Sequence, residues 1–413
     1  SWRTSVMSNR QGVWSLASHF QAIGDTNWTM APGAPTSVTA TGGNTNASVA
    51  FTAPSFAGIP GTITGFKVTS SEGETATGSS SPITVTSLTN GTAYTFTVQA
   101  QNAIGLGKAS SASSSISPAL GRGIFAAGFA GDSPGRVNTI DYVSIASTGN
   151  ASDFGDLTVG RQVYPSLMGS NTRGILTSGI EVSVTYATTL DYVTIASTGD
   201  ATDFGDLTVG RYGQSGCSNG TRAVTFNGDQ QSGTDNTMDY ITIASAGNAT
   251  DFGDSATTVR NTGACASPTR GLRCGGSESD VIEYITIGTT GNSTDFGNLT
   301  QSGYGPSCAG SNTRACMAGR EHSSKYNIID YVTIASTGNA TDFGDLTETI
   351  HSAGGTSNGT RALFGGGESG SASHRGTIDY ITIASTGNSQ NFGSLSQSRR
   401  GVCSSGDSHG GIA

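Results

Sequence analysis

Along residues 34 to 117 apolar and polar positions alternate with a period of two, in "TSVTAT", "ASVAFTAP", "ITGFKVTSS", "PITVTSL" and "AYTFTVQAQNAIG", with Gly, Asn and Pro between the runs. That period puts successive side chains on opposite faces of a strand, so the segment predicts a β-sandwich. From about residue 120 the pattern changes. In "YITIAS" Ile241 and Ile243 share one face while Tyr240, Thr242 and Ala244 share the other, and neither face is strongly charged, so both need cover. Near the start, Trp14, Leu16, Phe20 and Ile23 lie close to helical spacing, which predicts a helix over 15–23 too short to stand without something to dock against.

The region after residue 120 repeats. Tyr142, Tyr192, Tyr240, Tyr284, Tyr331 and Tyr380 recur every 44 to 50 residues, each followed twelve residues later by Phe154, Phe204, Phe252, Phe296, Phe343 or Phe392. A second phrase, clearest as "SNGTRALFGGG", precedes each copy and places an arginine at Arg122, Arg173, Arg222, Arg270, Arg314 and Arg361. Four short strands fit one repeat: one before the turn, one after the arginine, "DYITIAS", and one around "DFGDL". Sheets set side by side about an axis cover both faces of each sheet, with the phenylalanine filling the gap between blades and small residues permitting close approach. The terminal "RRGVCSSGDSHGGIA" repeats the first strand, with His409 at the arginine's place. It is expected to complete the first repeat, whose opening strand is missing before Arg122, and it leaves "GGIA" without a role. The expected architecture is all-β: an N-terminal anchor arm at 1–31, a β-sandwich at 32–118 and a six-bladed β-propeller at 119–413.

Three resemblances follow from quoted residues. "SLTNGTAYTFTVQAQNAIGLGKAS" resembles the late strands of fibronectin type III domains, with Leu88, Gly91 and Tyr94 at the tyrosine corner, Phe96, Val98 and Ala100 pointing inward, and Phe51 and Phe66 as further inward aromatics. This implies a spacer or binding module. "ALFGGG", "IDYITIAS", "DFGDL" and "VGRYG" together resemble a Kelch propeller, although Phe stands where Kelch repeats usually carry Trp. The leader "GVWSLASHFQAIGDTNW" is similar to those of tailed-phage fibres and appendages, and "YVTIASTGNATDFGDLT" is similar to repeats in marine phage structural proteins. That likeness implies a virion protein held by its leader through Trp2, Trp14, Leu16, Phe20 and Trp28, made in the host cytoplasm and displayed on the virion surface in several copies.

Composition narrows the chemistry. Glycine supplies 61 residues and charged residues only 12%, and a net charge of -9 argues against nucleic-acid binding, which needs clustered Lys and Arg. No apolar run reaches bilayer length, so membrane insertion is not expected, and the start lacks the pattern of a secretory leader. Cys217, Cys265, Cys308 and Cys403 fall at nearly the same place in four repeats. Since equivalent positions in separate units seldom touch, free buried thiols are expected rather than disulfides. No metal-ligand spacing, nucleophile elbow or phosphate loop is present, so no metal, cofactor or catalytic residue is expected.

The acids before each tyrosine (Asp141, Asp191, Asp239, Glu283, Asp330, Asp379) and the repeated arginines are expected to serve what every repeat shares, turn geometry and strand pairing. The loops between second and third strands differ between repeats and collect charge, His and Tyr. They are the expected contact surface, with Glu181, Asp229, Gln230, Glu278, Asp280, Arg320, Glu321, His322, Lys325, Tyr326, Glu368, His374 and Arg375 as candidates. The function expected is attachment, not turnover: a virion fibre, appendage or decoration protein that meets other virion proteins through its arm and a host-surface glycan or protein through the propeller. A bacterial surface adhesin or a glycan-binding propeller lectin is the alternative.

Overall fold

A computed structural model of the chain describes residues 29–59, 61–131, 135–162, 168–183, 186–370, 374–409 and 411–412. The expected arm residues Trp2, Trp14, Leu16, Phe20 and Trp28 and the expected helix over 15–23 lie outside the described residues. Among the described residues every regular element is a strand, and the chain divides into two compact units, Ser1–Pro118 and Ala119–Ala413.

In the first unit one sheet orders Thr36–Gly43, Asn46–Thr52 and Ile83–Thr86, and the other orders Thr75–Gly78, Gly65–Ser70, Phe96–Asn102 and Gly105–Leu106. The period-two pattern explains both, because Ala47, Val49 and Phe51 from one sheet meet Phe66, Val68, Phe96, Val98 and Ala100 from the other in a single core. Phe51 and Phe66 touch with ring centroids 4.7 Å apart. The corner forms as expected: Tyr94 is buried, its hydroxyl accepts the Thr89 N–H at 3.0 Å, and Gly91 takes φ 84°.

The second unit contains six repeated antiparallel sheets. The first orders Ser152–Asp156, Thr139–Ser144, Arg122–Ala126 and Cys403–Gly406, so the C-terminal strand completes the first repeat. The third to sixth sheets have four strands each in chain order, as in Ser215–Ser218, Arg222–Gln230, Gly233–Thr242 and Thr250–Asp254. In the second sheet a single bridge from Gly169 to Gly174 stands in place of the first strand. Ser215–Ser218 packs on Gly263–Ala266, which packs on Ser307–Gly310, then Gly354–Ser357, then Cys403–Gly406, which packs on Arg173–Leu176 of the second sheet. The remaining step, second sheet to third, is made by the Gly169 N–H donating to Ser218 Oγ at 2.8 Å. The contacts therefore run in a cycle.

Small residues make that approach possible. Thr356 Oγ1 donates to the Ser405 carbonyl at 3.0 Å, Ser307 Oγ to Ala353 O at 2.6 Å and Ser357 Oγ to Gly310 O at 2.6 Å, so hydroxyls bridge neighbouring first strands. Gly355 has no room for a Cβ against the Cys308 backbone. The tail finds its role here too: Gly411 lies against Ser218 and Ala266, covering first strands of the third and fourth sheets. His409 does not take the repeated arginine's part. It is buried with Nε2 3.3 Å from Ser218 Oγ, and burial pushes its imidazole down to about 4, so it is neutral near pH 7.

One premise about the cysteines is overturned. All six are free and buried, but the first strands are neighbours, so Cys308 lies against Cys265 and Cys274 in one apolar cluster rather than apart from them.

Away from the first strands, each phenylalanine fills the space between sheets. Phe154 packs on Leu176, Val193 and Ile195 of the second sheet, and Phe296 packs on Met317 and Val332 of the fifth. Each such burial contributes about 2 kcal/mol. The repeated arginine lies 4.3 to 4.6 Å over the tyrosine of its own sheet. Its Nη1 then donates to a carbonyl of the next sheet: Arg122 to Ile195 at 2.8 Å, Arg222 to Ile287 at 3.1 Å and Arg314 to Ile383 at 2.7 Å. Arg361 of the sixth sheet reaches Ile145 of the first at 3.1 Å. It is a tie between sheets, not a turn residue.

The repeated acids also do something other than shape turns. All six are buried, and each binds a buried arginine: Asp141 with Arg399, Asp191 with Arg161, Asp239 with Arg211, Glu283 with Arg273, Asp330 with Arg320 and Asp379 with Arg375, at 2.5 to 3.0 Å. Each also accepts from a hydroxyl of the preceding repeat, namely Ser396, Thr158, Thr208, Thr257, Thr300 and Thr347 in the same order. An uncompensated charge at such a site costs several kcal/mol, so neither partner is dispensable alone. Replacing Asp239 by Ala is therefore expected to lower unfolding free energy by ~3–5 kcal/mol. Replacing Asp239 and Arg211 together by apolar residues should recover most of that loss in the same denaturant titration; equal losses for the single and double variants would contradict the pairing.

Candidate functional site

Just before the first strand of five repeats the backbone turns through a left-handed residue: Gly213, Asn261, Gly305, Ser352 and Gly401, at φ 71°, 57°, 70°, 57° and 62°. Their amides link successive sheets: Asn261 N–H donates to Gly213 O at 2.6 Å, Gly305 to Asn261 at 2.7 Å, Ser352 to Gly305 at 2.8 Å and Gly401 to Ser352 at 2.9 Å. The residue ahead of each varies: Tyr212, Arg260, Tyr304, His351 and Arg400. Backbone pairing brings four of these against the end of a second strand or the segment just after it, as Tyr212 with Asp229, Tyr304 with Glu321, His351 with Glu368 and Arg400 with Phe129. Unrepeated side chains thus gather where repeated backbone delivers them.

One charged cluster joins the fifth and sixth repeats and the segment that leads into Cys403–Gly406. Lys325 Nζ donates to Glu368 Oε1 at 2.8 Å and to Ser369 O at 2.9 Å, and Arg400 pairs with Glu368 Oε2. His351 Nε2 stands 2.9 Å from Glu321 Oε2 and 3.7 Å from Glu368 Oε2 without hydrogen-bond alignment, while its Nδ1 lies 2.8 Å from Ser352 Oγ. The Tyr304 ring meets the imidazole edge-on at 5.4 Å. Burial lowers the His351 pKa, and Lys325 and Arg400 add to this against the pull of the two glutamates. Burial raises the Glu368 carboxyl, but hydrogen bonds from Lys325 and Arg400 outweigh it and bring the group to about 2.

A second cluster lies at the third repeat. Tyr212 donates its hydroxyl to Asp229 Oδ2 at 2.9 Å, and Arg260 pairs with the same oxygen and donates to the Tyr212 hydroxyl at 3.1 Å. Gln230 follows Asp229 at the edge of a groove.

The expected loop residues divide into three sets. Glu321, Lys325 and Glu368 come together, and Asp229 and Gln230 lie side by side. Glu278 and His322 are exposed, Asp280 and Tyr326 are half-buried, and the half-buried His374 ring sits 5.6 Å from Phe129. The third set requires correction. Arg320 and Arg375 are buried as partners of Asp330 and Asp379, and Glu181 is buried beside Arg161 with its pKa raised by that burial, so none of the three is a loop-surface contact. Their chemistry matched a recognition surface, but the acid fixed at every repeat claims the guanidinium wherever along the chain it comes from. His351, Arg400, Tyr304, Tyr212 and Arg260 were missed, and the available sign was one variable Tyr, His or Arg before a Gly, Asn or Ser in five of the repeats.

Comparison with known families identifies the first unit, where the sandwich, the buried Tyr94 and the corner at Gly91 have been described. Residues 33–116 are a fibronectin type III domain. No curated protein matches the chain. The match ends before the repeats, so the fibronectin type III domain says nothing of what the clusters meet.

Among the described residues no group of three or more His, Cys, Asp or Glu is placed to hold a metal ion. The Glu368 cluster instead joins hydrogen-bonded opposite charges at a half-buried surface. Its depressed pKa means that its stabilisation is complete above the ordinary glutamate pKa of 4.5 and is lost as pH falls toward about 2. Glu368→Gln should cost on the order of 1 kcal/mol at neutral pH, after allowance for solvent screening. In denaturant titrations at stepped pH the difference from the parent should shrink as pH falls from 4.5 to 2; a difference that stays constant would contradict the pairing.

Proposed function

We propose that residues 119–413 form a six-bladed, Kelch-like β-propeller which carries an attachment surface, and that the chain is a virion structural protein: a fibre, appendage or decoration protein held by its N-terminal arm. The propeller reading is supported by the cycle of first-strand contacts and by the tie from Arg361 to Ile145, which joins the last sheet to the first. The attachment reading is carried by one observation. Groups repeated in every sheet are used between sheets, whereas Glu321, His351, Glu368, Lys325 and Arg400 are not repeated and gather at one half-buried surface. A polar cluster of mixed charge, held in place by its own pairs, suits association by electrostatic complementarity more than bond chemistry. The fibronectin type III domain supplies a spacer without catalytic machinery.

The virion assignment draws on the similarity of "GVWSLASHFQAIGDTNW" and "YVTIASTGNATDFGDLT" to phage structural proteins. It is tested by labelling residues 119–413 with gold-conjugated antibody on purified particles. Label is expected on the particle outside, and a chain carrying Trp14→Ala and Phe20→Ala should be lost from particles while remaining soluble and folded. Absence of the chain from particles, or full retention of the doubly substituted chain, would contradict the assignment.

A further inference from the structure

A groove of about 500 Å³ lies between the second and third repeats, lined by Tyr186, Val209, Gly210, Gln230, Gln231 and Ser232. Its volume falls within the ~300–1,000 Å³ typical of small-molecule sites. No lining side chain is ionisable at neutral pH. The Tyr186 ring packs against Tyr212 with centroids 5.9 Å apart and planes inclined by 36°. Tyr212 is in turn fixed through its hydroxyl by Asp229 and Arg260. The opposite polar edge is the tip of a hairpin, where Gln230 pairs with Gly233 across a turn made of Gln231 and Ser232. The aromatic wall and the hairpin backbone are held before any ligand arrives, which lowers the entropy cost of binding.

This hairpin is longer than the shared repeat requires. Its strands are Arg222–Gln230 and Gly233–Thr242, whereas the fourth sheet makes the same contacts with Arg270–Cys274 and Val281–Thr286. The extension is therefore not needed for packing sheets, and the groove exists because of it. Gly210 contributes by lacking a side chain, for a Cβ there would run into the Tyr186 carbonyl.

We infer that this groove binds a neutral saccharide, a conclusion that rests on the attachment reading above and names its ligand class. A sugar ring has one apolar C–H face and a rim of hydroxyls that both donate and accept. An aromatic ring matches the face, and a carboxamide matches the rim because it offers donors and an acceptor in one plane. A charged ligand finds no counter-ion among the lining residues. A peptide would need a deeper apolar pocket for an anchoring side chain than an open groove edged by two glutamines and a serine provides.

The test uses the purified full chain and saturation-transfer NMR with glucose, galactose, mannose, N-acetylglucosamine and their disaccharides, followed by titration calorimetry on any that respond. At least one is expected to bind, and Tyr186→Ala and Gln231→Ala should each weaken it about tenfold, equivalent to ~1.4 kcal/mol. Ser323→Ala, on a different exposed hairpin, should leave affinity unchanged. Gln231 is exposed at a turn, so its replacement does not disturb the core and keeps the test informative if the Tyr186 variant fails to fold. Binding of no panel member, or undiminished binding by the Gln231 variant, overturns the inference. Localisation on particles without saccharide binding would remove this inference alone; absence from particles with saccharide binding intact would remove the virion reading alone.

Discussion

Six carboxylates lie buried where one sheet of the second unit meets the next, and the packing of that unit depends on their being neutralised there. Each accepts a guanidinium and a hydroxyl, and the hydroxyl always belongs to the preceding repeat. Such a joint adds little stability compared with apolar packing, yet it is costly to break. It favours one register between neighbouring sheets, since a slipped sheet would carry its acid away from both partners. The phenylalanine and the arginine over tyrosine then pack around a geometry already chosen.

With the joints in place, the first strands approach closely enough for serine and threonine hydroxyls to bridge them, and the amides of left-handed residues link along one end. These repeated features leave little freedom in the core. The unrepeated charged and aromatic side chains of the two clusters come from the residue before a left-handed position and from the hairpins facing it. Among the described residues two hairpins are extended, one ending at Gln231 and the other between Glu321 and Lys325. One borders a neutral groove and the other a charged cluster. The acids, hydroxyls and aromatic pairs that tie sheet to sheet are repeated, whereas the proposed contact surfaces are built from side chains that are not.

Much of the fold was legible because its causes are local. Alternation in "AYTFTVQAQ" and the tyrosine-to-phenylalanine interval reflect strand faces, and the missing opening strand before Arg122 was matched by a surplus one around Cys403. The joints were not legible, because their arginines have no constant place. Arg161, Arg211 and Arg399 come from the segment before a first strand, Arg273 and Arg320 from second strands, and Arg375 from a loop. Only three dimensions align them. The same reason moved Arg320 and Arg375 from the expected contact surface into the interior, and brought Cys308 against Cys265. Glu321, Lys325 and Glu368 were found because they lie on hairpins that differ between repeats, while His351 and Arg400 were hidden in segments that looked like strand entries.

The central claim of the proposed propeller is that the six sheets close on themselves through the strand Cys403–Gly406. Hydrogen–deuterium exchange on a chain lacking residues 403–413 tests it most directly. In a closed cycle the lost strand removes a neighbour from the sixth and second sheets as well as the first, so protection should fall around the whole unit. Exchange confined to Arg122–Ala126, with all other sheets protected as before, would contradict closure.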